Sequence, residues 1–442
     1  MKQIVLVLSL LFGITAFSAA QTGLTLEKAV QIAIDRNTTV VQARNTVDTR
    51  QSSTEAAYGA LLPTLGLSGD WNWTRSKSTF YNGIQVGSGT ETTERREYSA
   101  GIGANVTLFN GFANTSGIDE ANYRETASRN DLSQTVKNAI FQTHTLYLTV
   151  FKMYQLLLVS QDNLKTSQQQ LARIVESNNV GSVALADVYR QRVQVGSDEL
   201  LVIQAQNNFD KAKTDLYAYL AIDTPGSMDV DFQGIASDID TTEFTDINAR
   251  YSNLDNLLNQ ATQNRPDYLS AVQSVSAANS GITIAQSGYL PSLSGNANYG
   301  YQNTDLTHLT DNSSLSFGLT LSYPIFSGFQ TKTQTQQAII SKNNAEEVLS
   351  QTRRQIRADL QKALLDFNAW QKQISVTKTS VESADMDRQI AQEKYTLGAG
   401  TLLDELTAQA NYTTAVTNKV NAVIGYLLSK KQLEFTIGTI TK

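Results

Sequence analysis

The chain has 442 residues, 41% hydrophobic and 17% charged, with a formal net charge of -6, no cysteine and two histidines. That length and apolar content suffice for a large core, while the missing cysteine excludes disulfides, metal-thiolate sites and thiol-linked lipid. The acidic balance, without any basic block, argues against a nucleic-acid partner.

The chain opens on Met1, Lys2 and Gln3, then an apolar run from Ile4 to Phe17, then Ser18, Ala19 and Ala20. A basic start, an apolar stretch too short to span a bilayer and a small-residue end are the order of a secretory signal peptide, assigned to residues 1–20. The alternative is a buried N-terminal helix, but no amphipathic period interrupts the run. Beyond it no apolar stretch reaches the roughly 18 residues of a membrane helix. The nearest, Leu146 to Val159, holds Lys152 and Gln155. An exported chain of this kind is periplasmic, secreted or an outer-membrane β-barrel.

A first half, 21–220, starts with a helix and then changes period at Leu62, Pro63, Thr64, Leu65. Leu65, Leu67, Trp71 and Trp73 alternate with small or polar residues; after a charged loop at 75–97, so do Tyr98, Ala100, Ile102, Ala104, Val106 and Leu108. Period two over about ten residues marks a tilted membrane strand, and the pair makes a hairpin over 65–108. From 112 to 178 no proline intervenes, and Leu132, Val136, Ala139, Leu146, Val150, Tyr154, Leu157, Leu164 and Leu171 step by three and four. At about 1.5 Å per residue this is a rod on the order of 100 Å long. Gly181 turns the chain into a return helix, 184–220.

An acidic segment, 221–252, follows, with Asp223, Asp229, Asp231, Asp238, Asp240, Glu243 and Asp246. The second half, 253–442, repeats the first in order: a helix, Leu290, Pro291, Ser292, Leu293, then alternating Leu293, Ala297, Tyr299, Tyr301 and Leu315, Phe317, Leu319, Leu321, Tyr323 in a hairpin over 293–323. Leu108, Phe109, Asn110, Gly111, Phe112 recurs as Ile325, Phe326, Ser327, Gly328, Phe329. Gly181, Leu185 and Asp187 recur as Gly398, Leu402 and Asp404. Three landmarks in one order identify a duplication. The second rod, 329–397, carries Leu360, Phe367, Ile374, Val381 and Tyr395 on one heptad series and Ala363, Trp370, Thr377, Ala384 and Ala391 on another, as in a coiled coil. Gly398 and Gly400 turn it into a return helix, 401–436.

With both hairpins pointing one way, Trp71, Trp73, Tyr98, Tyr299 and Tyr301 mark one interface, and Phe109, Tyr323 and Phe326 the other, as in an aromatic girdle. A soluble sandwich is the alternative, but the Gly, Ser and Asn residues opposite the apolar face would leave its core unfilled. Four strands cannot close a barrel, and an open edge in lipid leaves backbone groups unpaired. The strands must be shared between copies, and three copies give twelve.

These residues resemble the TolC-like outer-membrane efflux family over essentially the whole mature chain: duplicated halves, the Leu-Pro steps, Asn264, Arg265, Pro266, Asp267 opening the second half, and the tip from Leu397 to Asp404. The resemblance implies a mixed α+β membrane protein, with long coiled-coil helices forming a periplasmic α-barrel and four strands per chain in a shared twelve-strand outer-membrane barrel. It implies a homotrimer in outer-membrane lipid that meets a periplasmic adaptor and an inner-membrane transporter of RND, ABC or MFS type, for efflux or type I secretion. It places the periplasmic entrance at Asp404, with Tyr395 as a closing tyrosine. Thr407 stands where a second aspartate is common and Gly400 where a basic residue often occurs, so the gate is expected to be held more weakly or by different pairs. The tip turns at Gly181, Gly398, Gly400 and Leu402 are expected to contact the adaptor. Asp404 also fits a helix N-terminal carboxylate, and 221–252 fits either a belt around the tunnel or a solvated linker.

Two other classes remain. A trimeric coiled-coil adhesin explains the heptads but neither the duplication nor the hairpins. An exported enzyme finds little support: His144 lies within a long helix, His308 in a hairpin loop, no cluster has metal spacing, and Gly101 and Gly103 lack the third glycine of a dinucleotide loop. No cofactor or metal is expected.

Overall fold

The structure, a computed structural model, describes residues 23–78, 80, 81, 84, 85, 91–223, 228–240, 242, 244, 248, 251 and 253–441. The expected signal peptide lies outside the described residues, as do parts of the 75–97 loop and of the 221–252 segment.

Two short helices, α1 (Leu26–Arg36) and α2 (Thr38–Gly59), are separated by Asn37, whose side chain accepts from Thr39 N–H and caps the second. Strands β1 (Thr64–Ser78) and β2 (Glu91–Asn110) follow, then α3 (Ala113–Asn179) and α4 (Leu185–Tyr219). The same series recurs as α5 (Leu254–Asn264), α6 (Pro266–Gln286, with Pro266 in its first turn), β3 (Ser292–Asn303), β4 (Ser313–Ser322), α7 (Gln330–Thr396) and α8 (Leu402–Ile437). Helices α3 and α7 are each 67 residues long. Both start by one device: Gly111 and Phe112, and again Gly328 and Phe329, take left-handed backbone, which swings the chain from strand to helix. A side chain at Gly111 would meet Ser287 backbone oxygen at 2.7 Å, so only glycine fits there.

The long helices run the whole height. Near the strands α3 and α7 are flanked by α2 and α6, and further down by α4 and α8, so the helices form one layer. Its core is strongest at mid-height, where Leu360, Phe367 and Ile374 of α7 meet Leu257, Leu258, Ala422, Tyr426 and Leu433. The other face of α7 stays uncovered: Val348, Leu365, Val376, Met386 and Ile390 are exposed.

These four strands form one antiparallel sheet in the order β1-β2-β3-β4, so β2 and β3 join the two halves and β1 and β4 are its edges. In this register Leu65, Ala104, Ala297 and Phe317 stand in one row, and Leu67, Ile102, Tyr299 and Leu315 in the next. All point to one face; Ser68, Gly101, Gly300 and Ser314 share a row on the other. The charged stretch expected as a loop is corrected in part. Residues 75–78 pair with 91–94, and pairing continues to Tyr98, as a two-stranded ribbon beyond the four-stranded sheet. Thr74, Thr92 and Thr93 keep the pleat going, because threonine favours strands even between charges.

Candidate functional site

The sheet and the helix tips are the two candidate regions. On the sheet's apolar face the side chains stand clear of the rest of the chain, with Leu67 86% and Phe317 77% exposed. Opposite them Gly66, Ser68, Asn105, Asn296, Asn298, Gly318 and Thr320 are small or polar. One face is made for lipid and the other for water. Trp71 pairs with Tyr98, Tyr301 with Ala100 and Tyr299 with Ile102, while Trp73 lies one step further out opposite Arg96. These aromatic residues, expected as a girdle, thus fall on successive rows of the sheet, along a diagonal across the strands. Tyr323 lies just past the end of β4, exposed, and further along Phe326 and Phe329 pack edge to face.

At the opposite end, two turns carry the tip. Gly181 and Gly398 adopt positive φ of 77° and 73°, and Ala399 and Gly400 N–H both donate to Lys394 O. A side chain at Gly400 would meet Lys394 Cβ at 3.1 Å. Helix α8 then begins with a capping box: Asp404 N–H donates to Thr401 Oγ1 at 3.2 Å, and Thr401 N–H donates to Asp404 Oδ2 at 3.0 Å. These bonds from Thr401 hold the exposed Asp404 carboxyl below the usual carboxylate range, with Lys394 adding to the effect. Thr407, also exposed, donates to Leu403 O at 2.8 Å.

The structure does not bring Tyr395 to Asp404. Tyr395 turns inward against the cluster of Ile174, Val188 and Leu402, with Leu171, Val175, Val183 and Leu406 around it. Burial, and then the charges of Asp187 and Glu405, raise its phenol above its ordinary value. Leu402 is 2% exposed, so its place among expected surface contacts is corrected: it joins the two helical hairpins from within. The exposed apolar side chains at the tip are Val180, Leu185, Leu397 and Leu403.

Two features were missed by sequence reasoning. Between the hairpin tips lies a cavity of about 710 Å³, lined among others by Gln170, Arg173, Glu176, Asp187, Tyr395 and Glu405. Glu405 is 5% exposed, and burial pushes its carboxyl up to about 7 against the pull of Arg173. One Glu405 oxygen, Tyr395 Oη and Gln170 Nε2 are buried there without a hydrogen-bond partner among the described residues. Above the cavity a polar ladder links three helices. Asn163 donates to the buried Asp198 at 2.9 Å and accepts from Gln409 at 2.9 Å and Thr413 at 3.1 Å. Only the heptad positions of these residues, read as seams that bury polar groups, could have signalled it.

At mid-height, part of the acidic segment packs on the helices. Leu24 N–H donates to Asp229 O, Asp231 N–H donates to Leu24 O, and Tyr147 Oη donates to the carbonyls of Leu24 and Asp231. Phe232 stacks on Tyr154 and packs against Tyr147 and Phe151. His144 is buried, both ring nitrogens without a hydrogen-bond partner among the described residues; burial first, and then Lys431, lower its pKa to about 4.

Comparison with known proteins gives one answer. The family model described as outer membrane efflux protein matches residues 29–221 and 257–439. Over 403 residues the chain is 25% identical to the outer membrane protein TolC of Salmonella enteritidis, across 87% of this chain and 76% of the relative. It is 21% identical over 409 residues to the outer membrane efflux protein BepC of Brucella suis biovar 1, across 92% and 84%. Among solved structures it resembles a membrane protein from Pseudomonas aeruginosa with a TM-score of 0.80 at 17% identity, covering 93% of both chains. It also resembles the outer membrane protein VceC of Vibrio cholerae, with a TM-score of 0.77 at 18% identity over 93% and 96%. At such identities the structural likeness speaks for the fold.

Proposed function

The chain belongs to the outer membrane efflux protein family, and we propose that three copies of it close one twelve-strand barrel continued by a helical tunnel through the periplasm. Its place is the outer membrane and its work is efflux. The observation that carries the trimer is the open sheet. Its edge strands β1 and β4 run in opposite directions, so β4 of one copy can pair antiparallel with β1 of the next. Left unpaired in hydrocarbon, each edge amide or carbonyl costs several kcal/mol. The uncovered apolar face of α7 asks for a neighbour in the same way.

In this reading the small polar face lines a water-filled duct and does no chemistry. An inner-membrane transporter of RND, ABC or MFS type supplies the energy, through a periplasmic adaptor that meets the turns at Gly181, Gly398 and Gly400. Small molecules and, by a type I route, proteins are both cargo such a duct can pass. Asp404 and Thr407, one turn apart on the exposed side of α8, line the entrance.

The test is membrane extraction in mild detergent, followed by gel migration with and without heating and by chemical crosslinking. A heat-sensitive band at three times the chain mass is expected. Monomers alone, with the barrel still folded, overturn the trimer; a soluble monomer with hydrolytic or redox activity returns the enzyme reading.

A further inference from the structure

The two-stranded ribbon beyond the sheet is charged asymmetrically. The register of β1 and β2 runs without a bulge from Thr64 opposite Asn105 to Ser78 opposite Glu91, so the alternation of faces holds throughout. Past Trp71 and Trp73 the apolar face therefore continues as Arg75 and Lys77, with Arg96 opposite Trp73, Glu94 opposite Arg75 and Thr92 opposite Lys77. Three cations and one carboxylate stand on this face. The carboxylate is engaged, with Glu94 Oε1 at 3.6 Å from Arg75 Nε. On the other face the balance is acidic, since the register puts Glu91 and Glu97 there with the single cation Arg95, which lies 3.5 Å from Glu97, among Asn72, Thr74, Ser76 and Thr93. Arg75, Lys77 and Arg96 are exposed, and among the described residues Lys77 and Arg96 make no ion pair. A ribbon needing only solubility would divide its cations between the two sides, whereas three of these four stand on one.

We propose that Arg75, Lys77 and Arg96 bind the phosphate groups of lipid headgroups in the leaflet that faces the cell exterior. The position follows from the row itself. Leu65 and Leu67 lie at acyl depth, and Trp71 and Trp73 at the interface, where indole rings settle. Arg75 and Lys77 come next, about 7 Å per pair of residues further out. Arginine and lysine both take phosphate, the guanidinium in two-pronged fashion. Their stems lie along the apolar row and their heads reach the headgroup layer. The short second hairpin carries no such cations, so the strip belongs to the first hairpin of each copy.

The inference rests on the membrane-inserted barrel proposed above, and the experiment separates the two. Full-length trimer is purified, mixed in micelles with bisphosphorylated lipid A or with the same lipid dephosphorylated, and retained lipid is counted by native mass spectrometry. Each cation near an anionic surface contributes roughly fivefold in affinity. The wild type should retain the phosphorylated lipid at least about tenfold better, the Arg75→Gln, Lys77→Gln, Arg96→Gln triple variant should lose that preference, and Arg95→Gln on the other face should keep it. Heat-stable trimer in every variant shows that the barrel persists. Equal retention of both lipids, an unaffected triple variant, equal loss in Arg95→Gln, or displacement by millimolar inorganic phosphate each overturns the proposal. Wild-type trimer that takes no lipid and enters no vesicle overturns the barrel reading instead.

Discussion

The middle of the helical layer and its tip are built on the same heptad spacing, yet they bury different mixtures of apolar and polar groups. At mid-height the seams hold Leu360, Phe367, Ile374, Tyr426 and Leu433, with Tyr147, Leu216 and Leu220 in a second cluster braced by Leu24 and Phe232. Toward the tip the apolar cluster of Ile174, Val188 and Leu402 is smaller, and Asn163, Ser167, Gln170, Gln191, Asp198 and Glu405 share the seams, several with buried atoms unpaired among the described residues. Apolar surface stabilises wherever it is buried, whereas a buried polar group does so only when fully paired. Periodicity thus fixes that two helices meet; chemistry at the seam fixes how firmly.

The largest expected effect lies in the middle. Phe367→Ala empties a site packed between Tyr251 and Tyr426 and should cost about 3–5 kcal/mol, measured as a lower denaturation midpoint of the trimer. Glu405→Leu at the tip, replacing a buried and incompletely paired carboxylate by an apolar side chain, should instead raise stability above pH 7. A smaller loss at Phe367 than at any tip seam position would break the comparison.

Next come two pH effects of opposite sign. Folded Glu405 keeps its proton to about 7, while an unfolded glutamate releases it near 4.5. The tip therefore loses stability as pH rises from about 4.5 through about 7, by up to roughly 3 kcal/mol above that window. His144 behaves in reverse. Its folded pKa is lowered to about 4, so its contribution is complete above about 6.5 and is lost, on a similar scale, as pH falls through 4. Hydrogen exchange corrected for intrinsic rates should show the 402–410 region less protected at pH 8 than at pH 5.5, and residues around 144 least protected near pH 4. Glu405→Gln should flatten the first trend and leave the second. A smaller step is Thr401→Ala, which removes the cap of α8 at about 1 kcal/mol, read as faster proteolysis at the tip.

Much of this architecture was legible in the sequence, and for identifiable reasons. The repeated Phe-x-Gly-Phe step and the absence of proline mark where α3 and α7 begin and run; the expected 112–178 and 329–397 compare with Ala113–Asn179 and Gln330–Thr396. The ribbon beyond Trp73 was hidden because Arg75, Lys77 and Arg95 look like loop residues until a partner strand pairs with them. Leu402 and Glu405 were hidden for another reason. In the run Leu402, Leu403, Asp404, Glu405 each looks equally ready for the surface, and only the approach of α3 and α4 decides that Leu402 and Glu405 are buried while Leu403 and Asp404 are not. Sequence periodicity locates a seam within a hairpin well; it says little about the seam between two hairpins.

Asp404 offers the subtlest test, because its two roles predict different measurements. As the third residue of α8 it accepts from Thr401 N–H and Oγ1, and these bonds keep the carboxyl ionised below the usual range. If three copies bring three such carboxylates around one axis, their mutual repulsion acts the other way and raises the pKa, while attracting cations into the opening. Asp404→Asn should then lower cation preference in single-channel recordings and weaken block by multivalent cations, with little change in trimer stability, since the asparagine oxygen can still accept from Thr401. The effect should be modest, because Thr407 leaves the ring with one acidic level. In the wild type the preference should persist into acid if capping dominates, since the carboxyl is held below the usual carboxylate range, and fade at a distinctly higher pH if repulsion does. Unchanged selectivity and block, together with a lower melting temperature, would leave Asp404 as a helix cap and move the charged constriction to another level of the tunnel.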